Sequence, residues 1–467
     1  MMTNGDAETF DVLVIGGGNA ALSAAITAAA RGARVLLVEA APKFYRGGNT
    51  RHTRNFRFAH EGSGGTVTGP YGHDEYWTDL ERVTEGNTDE ELAHLTIEKS
   101  RELWDFLTSS GVHFQPALGG TLGLSRTNGF FLGGGRALLN ALYLKAGTMG
   151  VDIRYDAEAV ALKIGDGFFE GATIRNGSDV YDVRASTLVA AAGGFEANIK
   201  WLREYWGPRA ENFLVRGTPY NTGTLLRMLL DHGVMAVGDP TQCHAVAIDA
   251  RAPKFDGGIV TRHDCIVFSV VVNRNAERFY DEGEDFWPKR YAIWGRLLAD
   301  QPGQIAYSIF DSKADGQFMP PVYPAIEAAT LEELAGKLEL DGDALSRTIA
   351  DFNAAATATA FRPDILDGKG TVGIPIPKSN WAVPIDAPPY RAFPLRPGIT
   401  FTYLGTRVNR NARMVMQDGK PSANMFAAGE IMAGNILGKG YLAGFGMTIG
   451  GVFGRIAGEE AAAHARN

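Results

Sequence analysis

Gly16-Gly17-Gly18-Asn19-Ala20-Ala21 fits the spacing GxGxxA. The first glycine turns the chain, the second lets the backbone approach a pyrophosphate, and the small last residue lets a helix lie close on a strand. This spacing suits dinucleotide binding, because a helix N-terminus offers free N–H groups and the positive end of its dipole to phosphate oxygens. Glu39, with Ala40 beside it, follows roughly 20 residues on, where an acidic side chain accepts hydrogen bonds from ribose hydroxyls. A second set of residues suits a carboxylate or a carbonyl. Arg51, His52 and Arg54 fall in one short run next to the Gly47-Gly48 pair and can supply such donors. Arginine is apt there, since its planar fork binds a carboxylate through two parallel hydrogen bonds.

Such residues need elements to position them. Residues 12–15, Val-Leu-Val-Ile, read as a buried parallel strand ending in glycine, residues 20–30 as a small-residue helix and residues 35–38 as the next strand. This is a βαβ unit. Leu92, Leu95, Leu103, Phe106 and Leu107 recur near helical spacing over 89–110, and 136–149 reads as a helix opened by Gly133-Gly134-Gly135. Alternation around Val160 and over 172–183 predicts an antiparallel meander, and 187–192 a second buried strand ending in Gly193-Gly194. After Phe195 the chain turns aromatic-rich and irregular, with a short strand at 265–272, a helical stretch at 331–359 and a proline-dense segment at 375–397. Residues 425–430 then read as a third strand and turn, followed by a helix over 444–463. The expected fold class is α/β. A two-dinucleotide-binding, Rossmann-like domain built from 1–205 and 385–467 is interrupted by an α+β capping domain at 206–384.

The first glycine motif serves NAD and FAD alike, so the choice of FAD rests on later pieces. Arg46-Gly47-Gly48-Asn49-Thr50 follows the acidic strand closely, and Ala191-Ala192-Gly193-Gly194 and Ala427-Ala428-Gly429-Glu430 end two further strands. Three turns in that order fit an FAD domain. The expected cofactor contacts are Gly16, Gly18, Asn19 and Ala20 in the first turn, Glu39 and Ala40 on the acidic strand, and Gly47, Gly48, Asn49 and Thr50 in the approach loop. Val160 from the meander joins them, with Ala192, Gly193 and Gly194, then Gly429 and Glu430, and Gly446, Met447 and Thr448 from the last helix.

Composition narrows the function. The chain has 467 residues, 45% of them hydrophobic, and a formal net charge of -8 with no basic tract, which argues against a nucleic-acid partner. Cys243 and Cys265 are the two cysteines, and neither sits in a CxxC pattern, so no metal ligand set is expected. Residues 1–10 lack the pattern of a secretory signal and no apolar run is long enough for a membrane span, which makes the cytoplasm the expected location.

Through GGGNAALSAA, RGGNTRHTRNFR, GGGRALLNAL, PGITFTYLG and AAGEIMAGN, the chain resembles the fumarate reductase/succinate dehydrogenase flavoprotein superfamily over essentially its whole length. Within it the resemblance is greatest to the FAD-dependent tricarballylate dehydrogenases. It implies a flavin domain with a mobile cap, hydride exchange between flavin N5 and a carbon β to a carboxylate, and a separate electron acceptor such as oxygen, a quinone or a redox protein. His244, in Gln242-Cys243-His244, stands where soluble fumarate reductases hold a substrate carboxylate with a cap histidine. Arg290 follows the Arg278-Phe279-Tyr280-Asp281-Glu282 run and is the candidate proton carrier. The family histidine of the PG-x-H-x-T stretch is Thr400 here, and Lys439-Gly440-Tyr441 replaces an expected arginine. Asn49 stands near the histidine that binds FAD covalently in membrane-bound members, so the resemblance implies non-covalent FAD, with His52 the residue left for covalent attachment.

The expected catalytic residues are Arg290, Tyr441, His244, Tyr403 and His52, and the expected substrate contacts Arg51, Arg54, His244, Thr400 and Tyr441. The leading reading is an FAD-dependent dehydrogenase that forms or reduces a carbon–carbon double bond next to a carboxylate, on a tricarballylate- or succinate-like substrate. Gly440-Tyr441-Leu442-Ala443-Gly444 also looks like the C-terminal turn of 3-ketosteroid dehydrogenases, which keeps a ketone desaturase open. A flavin electron-transfer subunit without its own substrate is the third reading.

Overall fold

A computed structural model describes residues 8–62, 65–117 and 124–466. Its larger sheet has eight strands. Glu8–Ile15 lies parallel to Val35–Val38 on one side, with Val12 opposite Val35, and parallel to Asp179–Ala190 on the other, with Leu13 opposite Leu188. Asp152–Arg154 and Pro421–Ala427 extend the parallel run outward, and Arg413–Val415 closes the far edge antiparallel. Over residues 12–15 the central strand is apolar and buried on both faces, as a strand covered by helices must be. The meander appears as expected, Ala157–Gly165, Phe168–Asn176 and Asp179–Ala190 pairing in sequence, and the last of these also supplies the buried strand at 187–190.

The helix Asn19–Ala30 packs directly on the helix Phe445–His464 from the other end of the chain, and small residues make the fit possible. Gly450, Gly454 and Gly458 recur every four residues. A Cβ on Gly454 would strike the Ala20 carbonyl oxygen and the Ser23 side chain, and one on Gly458 the Ala24 backbone. The two backbones are therefore nearer than any side-chain-bearing stripe allows.

The second sheet has six strands, and Tyr390–Thr402 runs through it, pairing with Cys243–Asp249, Ala306–Phe310, Ile326–Ala328 and Leu214–Val215. The sequence reading puts 385–402 with the first domain. The structure instead makes this long strand part of the second sheet, and the chain returns to the first sheet only afterwards. Two local expectations also change. Over 265–272 the chain forms a 3-10 turn at Ile266–Phe268 before the strand Val270–Asn273. The stretch 331–359 is two helices: Leu331–Leu338 ends where Glu339 adopts a left-handed conformation, and Asp341 caps Gly342–Ala355 by accepting from Ala344 N at 2.8 Å.

Candidate active site

A cleft opens between the two sheets, lined at one end by the Gly16–Ala20 turn, Glu39, Ala40, Gly48, Asn49 and Thr50. Gly16 has φ +123°, and a Cβ there would collide with the Ala191 carbonyl; one on Gly17 would land on the Glu39 carboxyl and the Tyr143 hydroxyl. Both positions therefore require glycine so that the turn can pack against its neighbours while it lines the cleft. Glu39 is buried, and its oxygens accept from Ala41 N at 2.9 Å and Gly47 N at 3.1 Å. Burial pushes its carboxyl above the usual range, against those two bonds, and each oxygen keeps a lone pair for a ribose hydroxyl. Asn19 Oδ1 and Thr400 Oγ1 are buried without a partner beside the same cleft. A glycine turn at a helix N-terminus, an acidic strand end and orphaned polar atoms, all lining one cleft, together fit FAD.

At the other end stand His244, Tyr291 and Tyr441. His244 pairs with Phe401 across the second sheet at a register shift, a β-bulge that re-aims its side chain. Its ring stacks on Tyr441 at 3.9 Å between centroids and meets Tyr291 edge-on, with the Tyr291 hydroxyl 3.5 Å from Nε2. Burial first, then the charges of Arg216 and Arg262, holds His244 well below its usual pKa, so the imidazole is neutral.

Three guanidinium groups, those of Arg54, Arg216 and Arg262, line this end. Arg262 is bidentate to Asp264, Nε to Oδ1 at 2.6 Å and Nη2 to Oδ2 at 2.9 Å, and lies over the Tyr291 ring. Arg216 is 4% exposed, and its Nε and Nη1 have no partner; Arg54 Nε is likewise orphaned. Burial and then repulsion from Arg262 push both groups down to about 10. Unpaired buried cations are costly, and an arriving anion removes that cost.

Residues 11–446 match the family model described as an FAD binding domain. The chain belongs to the FAD binding domain family. A probable fumarate reductase of Shewanella frigidimarina is 28% identical over 99% of this chain and 76% of its own length. The open conformation of a flavocytochrome c3 fumarate reductase superposes with a TM-score of 0.77 at 24% identity, covering 99% of this chain and 80% of that one. A 3-ketosteroid-Δ4-(5α)-dehydrogenase of Rhodococcus jostii RHA1 superposes at 0.75 and 22%, covering 99% and 98%. The chain is an FAD-dependent oxidoreductase with the α/β fold of that superfamily.

For this FAD-binding protein several expected site residues fall outside the cleft lining. Arg290 turns away: Nε donates to Glu284 Oε2 and Nη2 to the Tyr280 hydroxyl, both at 2.9 Å, and the next residue, Tyr291, enters the cleft in its place. Tyr403 is buried with its hydroxyl on the Gly440 carbonyl. Arg51 lies over the Tyr45 ring, 3.8 Å from Asp256, while His52 lines the cleft and pairs with Asp256. Val160 sits at a bulge in its strand, and Ala157, Glu158 and Ala159 reach the cleft instead. Gly47 acts through Glu39, Gly194 backs onto Thr402 and Glu430, and Thr448 donates to the Arg57 carbonyl.

Arg216, Arg262 and Tyr291 carry no sequence motif. Their one signal is charge or hydroxyl type in an irregular region, which does not separate them from surface residues. Among the described residues no group of three or more His, Cys, Asp or Glu is placed to hold a metal, and no helix is long and apolar enough to cross a membrane.

Proposed function

We propose that the protein is a dehydrogenase that forms, or in reverse reduces, a carbon–carbon double bond beside a carboxylate in a small polycarboxylate of the tricarballylate or succinate kind. The observation that carries this is the group of three guanidiniums facing His244, Tyr291 and Tyr441, balanced there by Asp264. A di- or tricarboxylate supplies the missing negative charge. Bound FAD supplies the hydride acceptor. Arg54, Arg216 and Arg262 hold the carboxylates and stabilise the charge that develops on them, and neutral His244 donates or accepts a hydrogen bond without adding charge. Tyr291 exchanges the proton, its anion favoured by Arg262, Arg216 and Arg54 although burial raises its pKa overall. The second sheet acts as a cap, the FAD is held without a covalent bond, and the electrons pass to a separate acceptor.

A second reading is desaturation of a cyclic ketone, favoured by Tyr441, whose hydroxyl accepts from Gly446 N at 3.0 Å at the cleft wall. Against it, an apolar ketone leaves the Arg216 donors unpaired. Anaerobic mixing with each substrate class decides: flavin bleaching by a polycarboxylate is expected, and bleaching only by a ketone would overturn the proposal.

A further inference from the structure

Glu196 and Glu430 lie against each other at the cleft, both buried. Glu196 Oε1 accepts from Asn49 Nδ2 at 2.6 Å and Asn221 Nδ2 at 2.7 Å, and Glu430 Oε1 from Thr402 N at 2.9 Å. Glu196 Oε2 receives no donor from a neighbouring residue. It faces the Glu430 carboxyl across Gly194, where any side chain would overlap both groups. Two carboxylates cannot hydrogen-bond each other without a proton between them. Among the described residues no Lys, Arg or His bonds to either carboxyl, and besides Glu196 the Tyr403 and Tyr441 hydroxyls are close enough to be influenced by the Glu430 charge. Glu430 lines the cleft; Glu196 lies behind it.

We propose that Glu196 and Glu430 share one proton while the FAD is oxidised and take a second from solvent when it is reduced, making the pair a redox-linked proton site. Reduction by hydride adds one negative charge to a buried cleft already bordered by the pair's single negative charge. Uptake of one solvent proton leaves both carboxyls neutral and removes the repulsion. The balance is two electrons and one proton to FAD as hydride, and one proton from water to the pair. Burial raises the pKa of both carboxyls, and the Glu196 charge raises that of Glu430 further, which favours this uptake.

The test is anaerobic potentiometric titration of the FAD-loaded protein across neutral pH. With two protons per two electrons the reduction constant falls about a hundredfold per pH unit, about 59 mV; with one it falls about tenfold, about 30 mV. The hundredfold dependence is expected for the wild type and the tenfold one for Glu196→Gln, with Glu430→Gln as the alternative if the first variant does not fold. A tenfold dependence in the wild type, or a hundredfold one in a variant, overturns the proposal. Wild-type infrared difference spectra give an independent reading: reduction must add a protonated-carboxyl C=O band, and its absence is equally fatal.

Discussion

The Tyr291 hydroxyl stands at the His244–Tyr441 stack, and its neighbour Arg290 is held by Glu284 and Tyr280 outside the cleft. On the proposed role of Tyr291 in proton transfer, Tyr291→Phe, which keeps the ring, is expected to slow flavin reduction by substrate about 10²- to 10⁴-fold with the flavin spectrum unchanged. Arg290→Ala is expected to leave that rate within about threefold, because its loss is confined to a partly exposed ion pair. Rapid-reaction kinetics on both variants measure this; the reverse pattern would return the proton to Arg290. The glycine turns, Glu39, His244 and Tyr441 were legible because each sits in a motif or at a strand end. Arg216, Arg262 and Tyr291 were not, because tertiary packing alone brings them together, and Arg290 misled because one residue of helical rotation separates a cleft-facing from an outward-facing side chain.

Between elements, the Asn19–Ala30 and Phe445–His464 helices meet over an extensive close contact. Gly454→Leu pushes a side chain into the Ala20 backbone, where neither helix can retreat from the sheet beneath. A loss of about 1–3 kcal/mol in stability, with weakened FAD retention, is expected. Chemical denaturation with and without added FAD checks it, and an unchanged midpoint would mean that the helices can separate freely. The βαβ unit, the meander and the last helix were readable because periodicity and glycine placement agree there. The long strand Tyr390–Thr402 was hidden by Pro394 and Pro397, which read as loop. In the sheet, Pro394 lies opposite Tyr307 and Pro397 opposite Ala247.

At the scale of the whole molecule, the net charge of -8 contrasts with the cationic end of the cleft, so an anionic ligand gains from local rather than overall charge. Saturating polycarboxylate should raise the thermal midpoint of the FAD-loaded protein, by about 2.7 kcal/mol of stability at a hundred times its dissociation constant. A steroid ketone should not. Thermal unfolding with each ligand separates the outcomes, and stabilisation by the ketone alone would sink the polycarboxylate reading.

The helix pair also joins segments more than 400 residues apart in the chain. A ribosome adding about 5–20 residues per second needs on the order of 20 to 90 s to make the second helix after the first. During that interval the nascent N-terminal unit lacks the strands Arg413–Val415 and Pro421–Ala427 as well as the Phe445–His464 helix, and the last cofactor-facing turn does not yet exist. The full set of cofactor-facing turns therefore exists only once the Phe445–His464 helix has been made, and a stop before that helix leaves the Asn19–Ala30 helix without its packing partner.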